Sequence, residues 1–198
     1  MNLNRDFYTR DTLTVAKELL GKILVNRTRE GVTKGRIVDV EAYMGPNDKA
    51  AHSYHKVNSK RTQIQYLEGG YAYIYLIYGM YHCMNIVTSE AERPESVLIR
   101  GLEPVEGIEL MHKRRGRDKI KELCNGPGKL CIAMGIQKEH YGMDLCGNEL
   151  YIEDDIEIID YNIIASKRIN IDYAEEAKDY LWRFTIEDSP YISTKIVE

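Results

Sequence analysis

Asp39, Glu41 and Tyr43 recur at every second position of the segment Arg36-Ile-Val-Asp-Val-Glu-Ala-Tyr43, with Val38, Val40 and Ala42 between them. On a strand this period places both carboxylates and the phenol on one face and the aliphatic residues on the other. A carboxylate near the end of an otherwise apolar strand is poised for partial burial, a setting in which it can act as a general base. A merely solvated or ion-paired glutamate is the plainer alternative. Arg100, on the apolar run from Val97 to Leu102, is a candidate partner for that charge, or a ligand for a phosphate. His52 and His55 differ by three, which would suit a metal pair on a helix, but no third ligand is evident and no metal site is expected. Gly126-Pro-Gly-Lys129 looks like a phosphate loop at a helix start. It departs from the phosphate-loop pattern, because Leu123 stands where the first glycine belongs and Leu130 takes the place of Ser or Thr. The chain carries no dinucleotide fingerprint and no GxSxG elbow.

A second concentration of chemistry lies in residues 71–85, YAYIYLIYGMYHCMN. Tyr71, Tyr73 and Tyr75 alternate with Ala72, Ile74 and Leu76, so three phenol rings share one face of a strand. Tyr78-Gly79 falls between this run and a second strand candidate at 81–88. Glycine supplies the positive φ of a tight turn, which puts Tyr78 at or near an exposed tip. A large aromatic residue there is shaped like a wedge that can enter a base stack. An aromatic face that simply joins the core is the alternative.

The elements that must hold these groups follow from periodicity. Residues 9–20 read as a helix capped near Gly21, and 22–26 and 33–43 as strands. A turn at 45–48 can start a short helix bearing His52. Residues 96–102 form a strand ended by Pro104, and 105–115 an amphipathic helix. A short helix over 119–124 and another after Pro127 come next, followed by strand candidates at 150–152, 156–159, 163–167 and 181–186. With no repeat or composition break, residues 1–198 read as one α+β domain with mostly antiparallel or mixed strands.

Hydrophobic residues at 43% and charged residues at 29% are those of an ordinary soluble globular protein. Fifteen tyrosines against two phenylalanines suit a site for polar planar ligands, or equally follow from a composition also rich in Ile, Lys and Asn. The net charge of −4 argues mildly against nucleic acid as a partner, although Lys56, Lys60, Arg61 and the run from Lys113 to Lys121 gather the cations locally. The four cysteines lack metal spacing and read as reduced, mostly buried thiols. The first residues form no signal region, and no apolar run approaches membrane-spanning length, so a cytoplasmic chain is expected.

Taken in order, four blocks resemble one family. Residues 36–52, RIVDVEAYMGPNDKAAH, resemble the active-site segment of the alkyladenine (3-methyladenine) DNA glycosylases, and 73–85 resemble their DNA-inserting hairpin. Residues 97–104, VLIRGLEP, and 125–130, NGPGKL, match two further blocks, with 19–22 and 182–184 fitting near the ends. The resemblance implies a curved, barrel-like sheet with flanking helices and a protruding hairpin. It also implies hydrolysis of the N-glycosidic bond of a damaged purine flipped out of double-stranded DNA. By the motif match Glu41 is the base that activates water, and Arg100 helps to fix that water or a nearby phosphate. Tyr43 and Tyr75 stack on the extruded base, with His52 at its edge and Asn85 excluding normal guanine. Tyr78 fills the gap in the duplex. No nucleophilic lysine and no metal or organic cofactor is implied, so the expectation is a monofunctional enzyme, monomeric and nucleoid-associated if bacterial.

The chain departs from the family pattern at residues 54–59, at Gln65-Tyr66 in place of a Met-Phe pair, and at Asn170 in place of Gly. These loops bear on substrate range. Two other classes remain at this stage: a non-catalytic nucleic-acid-binding module, which needs no buried carboxylate, and a hydrolase of free nucleosides, which needs no aromatic tip.

Overall fold

The structure, a computed structural model, describes residues 1–56, 58–155 and 161–194. Two side-chain caps open two short helices near the N-terminus. Asn4 accepts the Phe7 N–H ahead of α1 (Arg5–Tyr8), and Asp11 accepts the Thr14 N–H ahead of α2 (Thr12–Leu19). The single helix expected over 9–20 is therefore shorter and preceded by another, because Asp11 starts a new one.

β1 (Ile23–Thr28) and β2 (Gly31–Tyr43) form the first hairpin, and β3 (Ala72–Ile77) and β4 (Tyr81–Thr88) the second. β5 (Glu95–Glu106) lies between β4 and β2. It does not stop at Pro104 as expected: Pro104 pairs with Gly35 beside a register shift, where the ladder is already broken and a missing N–H costs little. The strand thus retains Val105 and Glu106. The helix expected from 105 begins only as α3 (Ile108–Arg115), behind Gly107 at φ 74°. α4 (Pro127–Met134) opens on proline at its first position, where an amide N–H has no helical partner. β6 (Leu150–Glu153), β7 (Ile163–Ser166) and β8 (Arg183–Ile186) complete the sheet, while the strand candidate at 156–159 lies outside the described residues.

Every strand pairing is antiparallel, in the order β3-β4-β5-β2-β1-β6. The thirteen-residue β2 is long enough to be shared: beyond its pairing with β1 it takes β8 at Asp39 to Glu41, and β7 pairs with β8. This is the α+β architecture the sequence pattern implies, with an open sheet rather than a closed barrel. One face of the sheet supplies Val40, Ala42, Ala72, Ile74, Met84, Ile86, Val97 and Ile99 to a core shared with Leu19 of α2, Met111 of α3 and Leu130 of α4. The other face carries the polar and aromatic residues. The four cysteines are unpaired, and all but Cys146 are buried. Among the described residues no helix is long and apolar enough to cross a membrane.

Candidate active site

The second face of the sheet is assembled by register. Glu41 on β2 pairs with Leu98 on β5, Leu98 with Asn85 on β4, and Asn85 with Tyr73 on β3. Residues two positions away along each strand share that face, which adds Tyr43, Arg100, Cys83 and Tyr75. Side chains separated by up to 59 residues in the chain thus meet over four adjacent strands. Above them is a cavity of about 460 Å³, within the range of small-ligand sites. Tyr43, His52, Tyr75, Tyr78, Asn85 and Arg100 all line it.

Glu41 does not line the cavity; it lies fully buried directly behind the wall. Three donors hold its carboxylate. Arg100 Nη1 reaches Oε2 at 3.1 Å, the Tyr43 hydroxyl donates to the same oxygen at 2.8 Å, and the Ile169 backbone N–H donates to Oε1 at 2.7 Å. Tyr43, Arg100 and Ile169 are themselves wall residues. A buried charge needs a counter-charge and filled hydrogen-bonding sites, and Arg100 with these two donors meets both needs. Of the two roles open to Arg100, the charge partner is the one realised. Its own burial works against its charge, but Glu41 and Asp39 more than offset this and raise its pKa. Burial, then the charge of Glu41, pushes the Tyr43 phenol well up, so it stays a neutral donor.

Tyr43 packs on Ala50, Ile171, Ala174 and Ala177. The Arg168 guanidinium lies 4.8 Å from its ring centroid and is held by Asp48 through Nη1 at 2.5 Å and Nη2 at 2.8 Å. That pair is wholly buried and fixes the Tyr43 ring from behind.

His52 sits in the bend after a short 3-10 turn (Gly45–Asn47), not on a helix as expected. Its ring meets Tyr75 edge-on with centroids 4.7 Å apart, and its Nδ1 is 2.7 Å from the Tyr73 hydroxyl. Arg61, from the loop before β3, places Nη2 2.9 Å from His52 Nε2 and its guanidinium carbon 4.7 Å from the Tyr75 centroid. Loss of hydration, then the Arg61 charge, pushes the His52 pKa down to about 4. His55 instead stacks on Tyr54. Among the described residues no three His, Cys, Asp or Glu side chains gather as a metal set. Asn85, nearly fully buried, donates from Nδ2 to the Tyr73 carbonyl at 3.3 Å.

Tyr78 is 74% exposed at the tip of the β3–β4 hairpin. Just below its tip that hairpin packs on the start of α4: a Cβ on Gly128 would come within 3.0 Å of Tyr81. Lys129 bonds Asn125 at 2.9 Å, so the glycine loop supports the hairpin. Tyr71 is bridged to Asp144 beneath the Arg5 guanidinium, a packing role.

The methylpurine-DNA glycosylase family model matches residues 6–190. The chain belongs to that family. It is 57% identical to a protein of Clostridium novyi over 98% of both chains, and 53% identical to one of Alkaliphilus oremlandii over 98% of this chain and all of that one. A protein of Clostridium perfringens is 52% identical over the same shares. All three are provisionally named 3-methyladenine DNA glycosylase. Membership makes this chain a DNA-repair hydrolase of the N-glycosidic bond, with DNA as its substrate and alkylated purines as the lesions. Three features of this glycosylase escaped sequence reasoning: Arg61 beside His52, the Ile169 N–H on Glu41, and Ser193 on Arg100. The first two come from loops without periodicity. The signal available for Arg61 was only its place in a cationic cluster.

Proposed function

We propose that the enzyme is a monofunctional glycosylase that releases alkylated or deaminated purines from duplex DNA after flipping them into the cavity, acting as a monomeric single domain in the cytoplasm. The observation that carries this is Glu41, a fully buried carboxylate whose three donors all belong to the wall of a base-sized aromatic cavity. Tyr43 and Tyr75 would stack on the base. A purine alkylated on its ring carries positive charge, leaves readily and is attracted to phenol faces. His52 would hydrogen-bond at the base edge once the entering base displaces Arg61, and Asn85 would oppose the amino group of normal guanine. With the Tyr43 ring held in place against the base, the attacking water would use a remaining acceptor position of the Glu41 carboxylate, whose Oε1 accepts the Ile169 N–H. Glu41 then takes the water proton while the water oxygen bonds to C1′ and the C1′–N bond breaks, its electrons leaving with the base. Arg100 supplies the counter-charge to the carboxylate and, lining the cavity, can help to orient the water. Among the described residues that line the cavity there is no lysine, which supports hydrolysis by water over an amine-linked strand-cleaving route.

The test is base release from duplexes carrying one 3-methyladenine, ethenoadenine or hypoxanthine, with wild type beside Glu41→Gln. The wild type should release base and leave an abasic strand that breaks only after alkali. The variant should bind but not turn over. Turnover by the variant would remove Glu41 from its role, and strand breakage without alkali would refute the monofunctional assignment.

A further inference from the structure

β2 presents Asp39 and Glu41 two residues apart, both fully buried, and each meets a buried arginine from another strand. Arg100 on β5 reaches Glu41, and Arg183 on β8 grips Asp39 with Nε at 3.0 Å and Nη2 at 2.9 Å. The two ion pairs are joined by one side chain from the C-terminal segment. The Ser193 hydroxyl donates to Asp39 Oδ2 at 2.7 Å and accepts the Arg100 Nε–H at 3.1 Å. The Ser193 backbone N–H donates to the same Asp39 oxygen at 2.9 Å. A hydroxyl has one proton and arginine only donates, so every bond in the chain Arg100–Ser193–Asp39 has one possible direction. The segment is itself seated on the sheet. The Thr194 carbonyl accepts Arg183 Nη2 at 2.7 Å, and the Tyr191 carbonyl lies where a Cβ on Gly101 would come within 2.8 Å of it.

We infer that Ser193 is a positioning residue for base excision: it fixes Arg100 by its Nε so that Nη1 stays on Glu41. This rests on the role of Glu41 proposed above. Without the hydroxyl, Arg100 Nε and Asp39 each lose a partner in a buried setting. The guanidinium can then pivot at the moment when Glu41 must accept a proton under a fixed counter-charge. The alternative, that the C-terminal segment only packs on the sheet, requires the shape of residue 193 and not its oxygen.

Ser193→Thr and Ser193→Val separate the two, since their side chains are nearly the same shape and differ in the hydroxyl. Single-turnover base release at saturating enzyme and affinity for a damaged duplex are measured for both, with Glu41→Gln as reference. Ser193→Val should lose about 10- to 100-fold in rate, the effect of orphaning a buried charged donor, with affinity within about twofold of wild type. Ser193→Thr should recover most of that rate. Equal rates for the two variants, whether both high or both low, would overturn the positioning role while Glu41→Gln stayed inactive. Turnover by Glu41→Gln would overturn the base assignment and this inference together. Should the valine chain unfold, Ser193→Ala takes its place against the threonine chain, with the same readings.

Discussion

Arg61 decides what His52 can do. Arginine only donates, and Nη2 lies 2.9 Å from Nε2 and 3.2 Å from Nδ1, so it serves whichever ring nitrogen is left without a proton, with the Tyr73 hydroxyl 2.7 Å from Nδ1. A second positive charge on the ring is opposed by loss of hydration first and by the Arg61 cation second, which together bring the pKa down to about 4. His52 is therefore neutral throughout the physiological range and offers the same hydrogen-bonding pattern at pH 5 and pH 8. Because its pKa in the folded chain is below the ordinary 6.5, the unfolded chain takes up the proton first as pH falls. The contribution of this group to stability is then full above about pH 6.5, declines toward about pH 4, and is constant below. Arg61→Gln should move the imidazole pKa upward, stopping short of 6.5 because hydration loss is the larger cause, and so narrow that window. NMR titration of the His52 ring protons measures this directly. An unmoved or lower pKa would show that the guanidinium does not act on the ring as a charge.

The hairpin is an element whose tip works against its own stability. Residues Ile77 to Met80 close a turn with the Met80 N–H on the Ile77 carbonyl at 3.2 Å, and both central residues are left-handed, Tyr78 at φ 53° and Gly79 at φ 69°. Glycine is suited to that region, but tyrosine there costs about 1–2 kcal/mol. Leu76 and Met80 beside it are also exposed, so the ring gains little from burial. Such a tip fits the base flipping proposed above, which calls for an aromatic wedge to enter the duplex. Tyr78→Ser should weaken binding to an abasic-site duplex by about 1–3 kcal/mol of lost stacking. Tyr78→Gly should weaken it as well while raising thermal stability, since it relieves the strained φ. Unchanged affinity in a fluorescence titration would leave the tip without a function. The alternation of Tyr73 and Tyr75, the Tyr78-Gly79 turn and the Asp39-Glu41-Tyr43 face were legible because a strand imposes its period on local sequence. Pro104 inside β5 was not, because the proline is tolerated where the ladder slips at Val105, against Lys34 and Gly35 of a strand nearly seventy residues away. Nor was Ser193, whose partners Asp39 and Arg100 lie 154 and 93 residues distant and leave no local pattern.

At the scale of the whole molecule the question is how a chain of net charge −4 holds a polyanion. Arg114, Arg115 and Lys119, half of the cationic run that the sequence offers as a patch, are committed to the fold. Arg114 holds Glu30 at 2.8 Å and the Ala133 carbonyl at 3.1 Å, Arg115 donates to the Leu123 carbonyl at 3.0 Å, and Lys119 meets Glu122 at 3.5 Å. Elsewhere, Lys49 lies between Glu175 and Glu176, and Lys167 on Asp179. Arg168 and Arg183 are buried in ion pairs and unavailable to phosphate. Each phosphate neutralised on duplex DNA contributes about −0.9 to the slope of log K against log salt. With so many cations internally paired, binding to undamaged duplex should give a shallow slope of about −2 to −4, and affinity for a damaged site should survive added salt better than non-specific affinity does. On the proposed reading the difference between the two comes from the aromatic slot and the tip, which release few counterions. A salt series on both duplexes checks this. A slope steeper than about −6 would mean that the surface pairs open and pass their cations to the backbone, as exposed pairs worth under about 1 kcal/mol are able to do. Lys119→Gln and Lys167→Gln would then flatten it, whereas the shallow-slope outcome has both substitutions leave it unchanged.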